Sequence, residues 1–255
     1  MFYKSKKIRT TILLISVAFN ILFFVSLLYI TCVKTDMFER LIAKTGLISY
    51  DSSESRHQIE FRCLEGWANS LGKQLKPFDI VFYGNSITFE SDFQSLFPNL
   101  KICNLGCNRD GLDDLVHRSF IIRSAKPSKI FILGGINNII DISLEEFETK
   151  YTIMVDTIIK QNPFSHIYLQ SLLPVNIEMG IGSRYLGCQE KIKKANKIIK
   201  TISHTRDCHF VDLYSIYQVN DLLPRKYTRD GLHLYPQAYE IWAQAIAPYL
   251  LEGTM

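Results

Sequence analysis

The sequence predicts a parallel α/β sheet covered by helices on both faces, carried behind an N-terminal membrane span. Three observations predict it. Five short β-rich runs are continuously apolar rather than alternating, as strands covered on both sides are. Helical patterns separate most of these runs, and strand–helix alternation marks a parallel sheet between layers of helix. An uncharged stretch from Thr10 to Val33 is long enough to cross a bilayer.

Residues 1–34 hold Lys4, Lys6, Lys7, Arg9 and Lys34 and no acid. Of the chain's net charge of +4 they carry +5, which leaves −1 on residues 35–255. A near-neutral body lacks the electrostatic footprint of a nucleic-acid binder. The run 10–33 contains one strongly polar residue, Asn20, and no small-residue cleavage site. It reads as an uncleaved signal anchor, with a cleaved signal peptide as the competing reading. The basic residues 1–9 then form a cytoplasmic tail under the positive-inside bias. The body lies beyond the membrane, on the periplasmic or extracellular side of a single-pass protein. Residues 34–55 read as a juxtamembrane stem, and 56–255 as one domain of ordinary size.

Within that domain, residues 57–76 place apolar side chains at helical spacing and meet Pro77, so they read as a first helix. Strands are expected at 79–84, 101–106, 129–135, 166–175 and 209–216. Further helices are expected at 111–125, 143–161, 186–204 and 236–251. Cys32 lies in or beside the span, and Cys63, Cys103, Cys107, Cys188 and Cys208 lie in the body. None has the spacing of a zinc site. They read as small buried hydrophobes with room for a bridge, the odd count leaving at least one free thiol. Lys191, Lys193, Lys194, Lys197 and Lys200 read as the solvated face of a helix, with contact to anionic lipid or acidic polysaccharide as the lesser reading.

Ligands of parallel sheets bind at the carboxyl ends of the strands. Gly84, Asn85 and Ser86 follow the first expected strand, and Asn104 and Gly106 end the second. Gly135, Asn137 and Asn138 follow the third, and Asp230 and His233 lie between the fifth and the last helix. Each alone is weak evidence: a serine there caps helices, and glycines make turns. His57, His117, His166, His204 and His209 read as ordinary surface or core histidines. Together the rim residues supply what acyl transfer needs. Ser86 is the hydroxyl nucleophile, His233 its base, and Asp230 the carboxylate that holds the base. The N–H groups of Ser86 and Gly106 and the amide of Asn137 can surround an oxyanion.

The motifs "GNSIT" (84–88), "NLG" (104–106), "GINN" (135–138) and "DGLH" (230–233) occur in the order and spacing of the SGNH hydrolases of the GDSL esterase/lipase superfamily. The chain resembles this family over about residues 77–250. "QSLLPV" (170–175) and "GLHLYPQAYEIW" (231–242) are similar to its small members of the platelet-activating-factor acetylhydrolase type. The resemblance implies a flavodoxin-like three-layer sandwich with a five-stranded parallel sheet, and a serine esterase that needs no metal or cofactor. Two positions depart from the family pattern. Asn85 stands where an aspartate usually precedes the serine, and Asn138 where one usually follows the asparagine of the third motif. The expected function is hydrolysis of a small acyl ester, an acetyl group on a carbohydrate, by a membrane-anchored extracytoplasmic enzyme. A lipid acylhydrolase, an acyltransferase using the same triad, and a non-catalytic binding domain are the rivals. The oligomeric state is not legible.

Overall fold

The computed structural model describes residues 77–250, with Gly66, Asn69, Ser70, Gly72 and Lys73 as isolated positions before them. The basic tail, the expected anchor at 10–33, the stem, the bulk of the expected first helix, Cys32 and Cys63 lie outside the described residues. Among the described residues no helix is long and apolar enough to cross a membrane.

Strand β1 (Ile80–Gly84) pairs in parallel with β2 (Ile102–Gly106) on one side and β3 (Lys129–Leu133) on the other. Then come β4 (His166–Gln170) and β5 (His209–Val211), so the parallel sheet runs β2-β1-β3-β4-β5. That is the flavodoxin order, with its switch point between β2 and β3 at the tip of β1. Gly84 is in register with Gly106 and with Leu133, which brings three strand ends level there.

The connections supply the outer layers. Helices α1 (Ser86–Phe89) and α2 (Phe93–Leu96) follow β1, and α3 (Leu112–His117) and α4 (Phe120–Ala125) follow β2. Helix α5 (Leu144–Gln161) follows β3, α6 (Gln189–Thr205) precedes β5, and α7 (Leu213–Tyr217) and α8 (Pro236–Leu250) come after it. Helices α3 and α4 pack against α5, and α5 against α6, while α2 meets α8. One side of the sheet is aromatic. Phe82 stacks on Phe131 at 5.3 Å and Phe131 on Tyr168 at 4.4 Å, across three neighbouring strands. Phe93 of α2 lies on Phe82 at 3.6 Å, and Trp242 of α8 meets Phe93 edge-on. Buried Lys129 donates to the carbonyls of Tyr249 and Leu250, placing a cation at the C-terminus of α8, where the helix dipole favours it.

The local differences from expectation have local causes. The helix expected at 111–125 is two short helices, because around Arg118 the ladder tightens to i,i+3 bonds such as Ser119 N–H to Val116 O and Ile121 N–H to Arg118 O. The strand expected at 209–216 stops at Val211. Asp212 caps α7, accepting from both the N–H and the hydroxyl of Ser215. The strand expected at 166–175 ends at Gln170, beyond which the chain stays buried through Asn176. Cys103, Cys188 and Cys208 carry free thiols; burial raises that of Cys103 to about 12 and that of Cys208 to about 11.

Candidate active site

Ser86 is the second residue past the tip of β1 and the first of α1. Asn85 turns the chain there: its side-chain oxygen accepts the Ile87 N–H at 3.0 Å, which caps the helix. Asn85 is fully buried, and its Nδ2 has no acceptor among the described residues. The carbonyl is therefore the working half of this amide, and an aspartate in its place would bury a charge. Tyr239 of α8 fixes the same turn, donating its hydroxyl to Ile87 O at 2.6 Å. A Cβ on Gly106 would stand 2.2 Å from Phe89 N, so glycine at the end of β2 is what lets α1 sit down on the sheet.

The other half of the site is the turn between Thr228 and Leu234, closed by an antiparallel bridge between those two residues. Thr228 braces it from within, its hydroxyl donating to His233 O at 2.7 Å and accepting from Gly231 N–H at 2.9 Å. Gly231 has φ 89° and its Cβ position is filled by Asn176 O at 2.4 Å, so no other residue fits there without strain. The loop 176–182 locks the turn from outside, with Asn176 N–H donating to Gly231 O and Gly182 N–H to Asp230 O.

These two halves meet. Ser86 Oγ lies 2.9 Å from His233 Nε2, and His233 Nδ1 lies 2.7 Å from Asp230 Oδ2. The other oxygen of Asp230 accepts the N–H groups of Leu232 and His233 at 3.0 and 2.8 Å. Burial acts to raise the Asp230 carboxyl, but these N–H donors and the His233 ring outweigh it and hold the group below its ordinary range. Ser86, at 8% exposure, opens with His233 into a cleft of about 350 Å³ that Asn108, Arg109, Asn137 and Arg184 help to line.

Asn137 follows β3 in a short 3-10 turn, Ile136–Asn138, and its Nδ2 donates to Asp110 O at 2.9 Å, leaving the second amide hydrogen for a ligand. Asn138 faces another way: its Oδ1 accepts the Leu112 N–H at 2.8 Å and so secures the start of α3. Gly106 is the expected donor that the geometry does not bring into the cleft. Its N–H donates to Asn104 Oδ1 at 2.9 Å. Sequence reading passed over Arg109, Arg184 and Tyr185, which line the cleft from two loops. The turn signal "NRDG" (108–111) is the only mark the sequence carries of the first loop. Among the described residues no group of His, Cys, Asp and Glu is arranged to hold a metal ion.

A hydroxyl, an imidazole and a carboxylate linked in that order, beside an amide donor, can perform acyl transfer. The profile of the GDSL-like lipase/acylhydrolase family matches residues 82–241, which include all of these groups. The chain belongs to this family. It is a carboxylic ester hydrolase. Solved structures of similar fold include a Streptococcus pneumonia protein provisionally named a platelet activating factor, 23% identical with a TM-score of 0.69 over 85% of this chain and 100% of that one. A GDSL-like lipase of Bacteroides thetaiotaomicron is 20% identical, with a TM-score of 0.64 over 75% of this chain and 98% of that one. A variant of an acetyl xylan esterase of Geobacillus stearothermophilus is 19% identical, with a TM-score of 0.55 over 68% and 94%. Among curated proteins none matches the sequence.

Proposed function

We propose that this acylhydrolase is a membrane-anchored, extracytoplasmic serine esterase that removes a small acyl group, acetyl, from a carbohydrate. The observation that carries the reading is the unbroken Ser86–His233–Asp230 hydrogen-bond chain opening into a small polar cleft. Ser86 Oγ attacks the ester carbonyl carbon as His233 Nε2 takes its proton. Asp230 holds the His233 ring in the tautomer with hydrogen on Nδ1 and stabilises the imidazolium. The Ser86 N–H and Asn137 Nδ2 donate to the oxyanion. The Gly106 N–H, committed to Asn104 Oδ1, takes no part in this step. His233 Nε2–H then protonates the leaving alkoxide. In the second half, water attacks the acyl-enzyme while His233 accepts its proton, and the acid leaves as Ser86 is reprotonated.

Cleft character supports a sugar over a lipid. Asn108, Arg109, Asn137, Arg184 and Glu90 outnumber Ile181 and Leu232 along its walls, and its volume suits a short acyl group on a polar alcohol. An opening to solvent favours hydrolysis over transfer. Anchoring rests on the uncharged run 10–33 behind a basic tail. The test is hydrolysis of p-nitrophenyl esters of increasing chain length. Highest kcat/KM on acetate supports the reading, and a maximum at long chains would replace it with a lipid acylhydrolase.

A further inference from the structure

The two arginines on the cleft are not used by the hydrolytic steps. We infer that Arg109 and Arg184 select an ester whose alcohol portion carries an anionic group, a carboxylate or a phosphate. The inference rests on the esterase reading of the same cleft and narrows its substrate class.

Arg109 comes from the loop after β2, and Arg184 from the 3-10 turn Gly180–Tyr185, yet both line the cleft that holds Ser86 and His233. Both are exposed, and among the described residues neither guanidinium has a carboxylate partner. The acid that lines the cleft, Glu90, is already held by Arg229 at 2.6 Å. The cleft therefore presents two uncompensated positive charges beside the nucleophile. Elsewhere the described residues pair arginine readily: Arg206 with Asp156, Arg225 with Glu178, Arg229 with Glu90.

Arg109 also occupies a costly backbone position. Its φ is 67°, in the left-handed region that L side chains disfavour and where glycine or asparagine is usual. Asn108 is adjacent and Gly111 two residues on, so a residue better suited to that conformation is at hand in the same turn. Of the five non-glycine residues with positive φ among the described residues, Arg109 is the one that lines the cleft. A guanidinium is the side chain whose paired N–H donors match carboxylate and phosphate oxygens. The anion belongs to the alcohol portion, because a short acyl group seated against Ser86 and Asn137 has no room for one.

The test measures acetate release by the full-length chain in detergent from two matched pairs. One pair is O-acetylgalacturonate against O-acetylgalactose, and the other 1-acetylglycerol 3-phosphate against 1-acetylglycerol. The expected result is a kcat/KM advantage of about tenfold for at least one anionic ester over its neutral partner, carried by KM and reduced by added salt. The pair that shows it tells carboxylate from phosphate. In the Arg109→Gln/Arg184→Gln variant the ratio within that pair falls to about one. An enzyme that cleaves the neutral esters as well as the anionic ones, or an advantage that survives in the double variant, would overturn the inference and leave the esterase standing. Absence of acetate from all four would remove the acetyl-ester reading and the inference with it.

Discussion

Asn137 and Asn138 are adjacent, chemically identical and turned to different tasks. Asn137 Nδ2 reaches the cleft while anchored to Asp110 O, and Asn138 Oδ1 is committed to the Leu112 N–H. A neutral amide acts mainly on charge that develops in the transition state. Asn137→Ala should therefore lower kcat by about 10²–10³ with little change in KM. Asn138→Ala should instead cost about 1 kcal/mol of stability, as losing a helix cap does, with the smaller effect on kcat. Steady-state kinetics and urea unfolding on the two variants check this, and the reverse ranking in kcat would reassign the donor. Asp230 gives a pH signature. Its carboxyl is depressed on folding, so the stability it contributes is complete above the unfolded value and is lost as pH falls through the folded one. The Tm advantage of wild type over Asp230→Asn should shrink as pH drops below about 4. An advantage that widens on acidification would contradict the hydrogen bonding described for this residue.

The elements converge on Arg118, which is fully buried at the junction of α3 and α4. It donates to Gly84 O at the end of β1, to Leu105 O near the end of β2 and to the Asp110 carboxylate, and it stacks on Tyr83. One side chain thus ties two strand ends to the loop that holds Asn137 through Asp110 O. Arg118→Met leaves the Asp110 carboxylate buried without its guanidinium and should cost about 3–5 kcal/mol by urea unfolding. A loss under 1 kcal/mol would show that the junction does not depend on the ion pair. Nothing in the sequence marked Arg118, since an arginine in a helical stretch is expected at the surface. What was legible follows a physical pattern. Runs such as 79–84 and 129–135 announce themselves, because their middles, 80–83 and 130–133, are apolar throughout, as a strand covered on both faces requires. The glycine and polar residues after them mark the rim. Asp212 and Ser215 were missed because a single local cap overrode the β-rich composition of 209–216. Arg109 and Arg184 were missed because their convergence is a property of two folded loops, 75 positions apart in the numbering.

For the whole molecule, two claims can be tested separately. If 10–33 is an anchor, the chain 1–255 should sediment with membranes and a truncate beginning near Ser55 should be soluble and active. A mature chain free of membrane, with its N-terminus beyond residue 33, would mean that the segment is a cleaved signal. The larger claim is that the rim of the sheet is a serine acylhydrolase working through Ser86. Its nucleophile should be open to covalent capture, because the His233 ring that activates Ser86 toward an ester also activates it toward a phosphonate. The most direct measurement is mass spectrometry of the protein after exposure to a fluorophosphonate, paired with ester hydrolysis by Ser86→Ala. The predicted result is one adduct, on the peptide carrying Ser86 and absent from Ser86→Ala, with turnover in that variant reduced to the residual roughly 10³–10⁴ over water that binding and the oxyanion donors supply. An adduct on another residue, or unchanged kcat in folded Ser86→Ala, would contradict it.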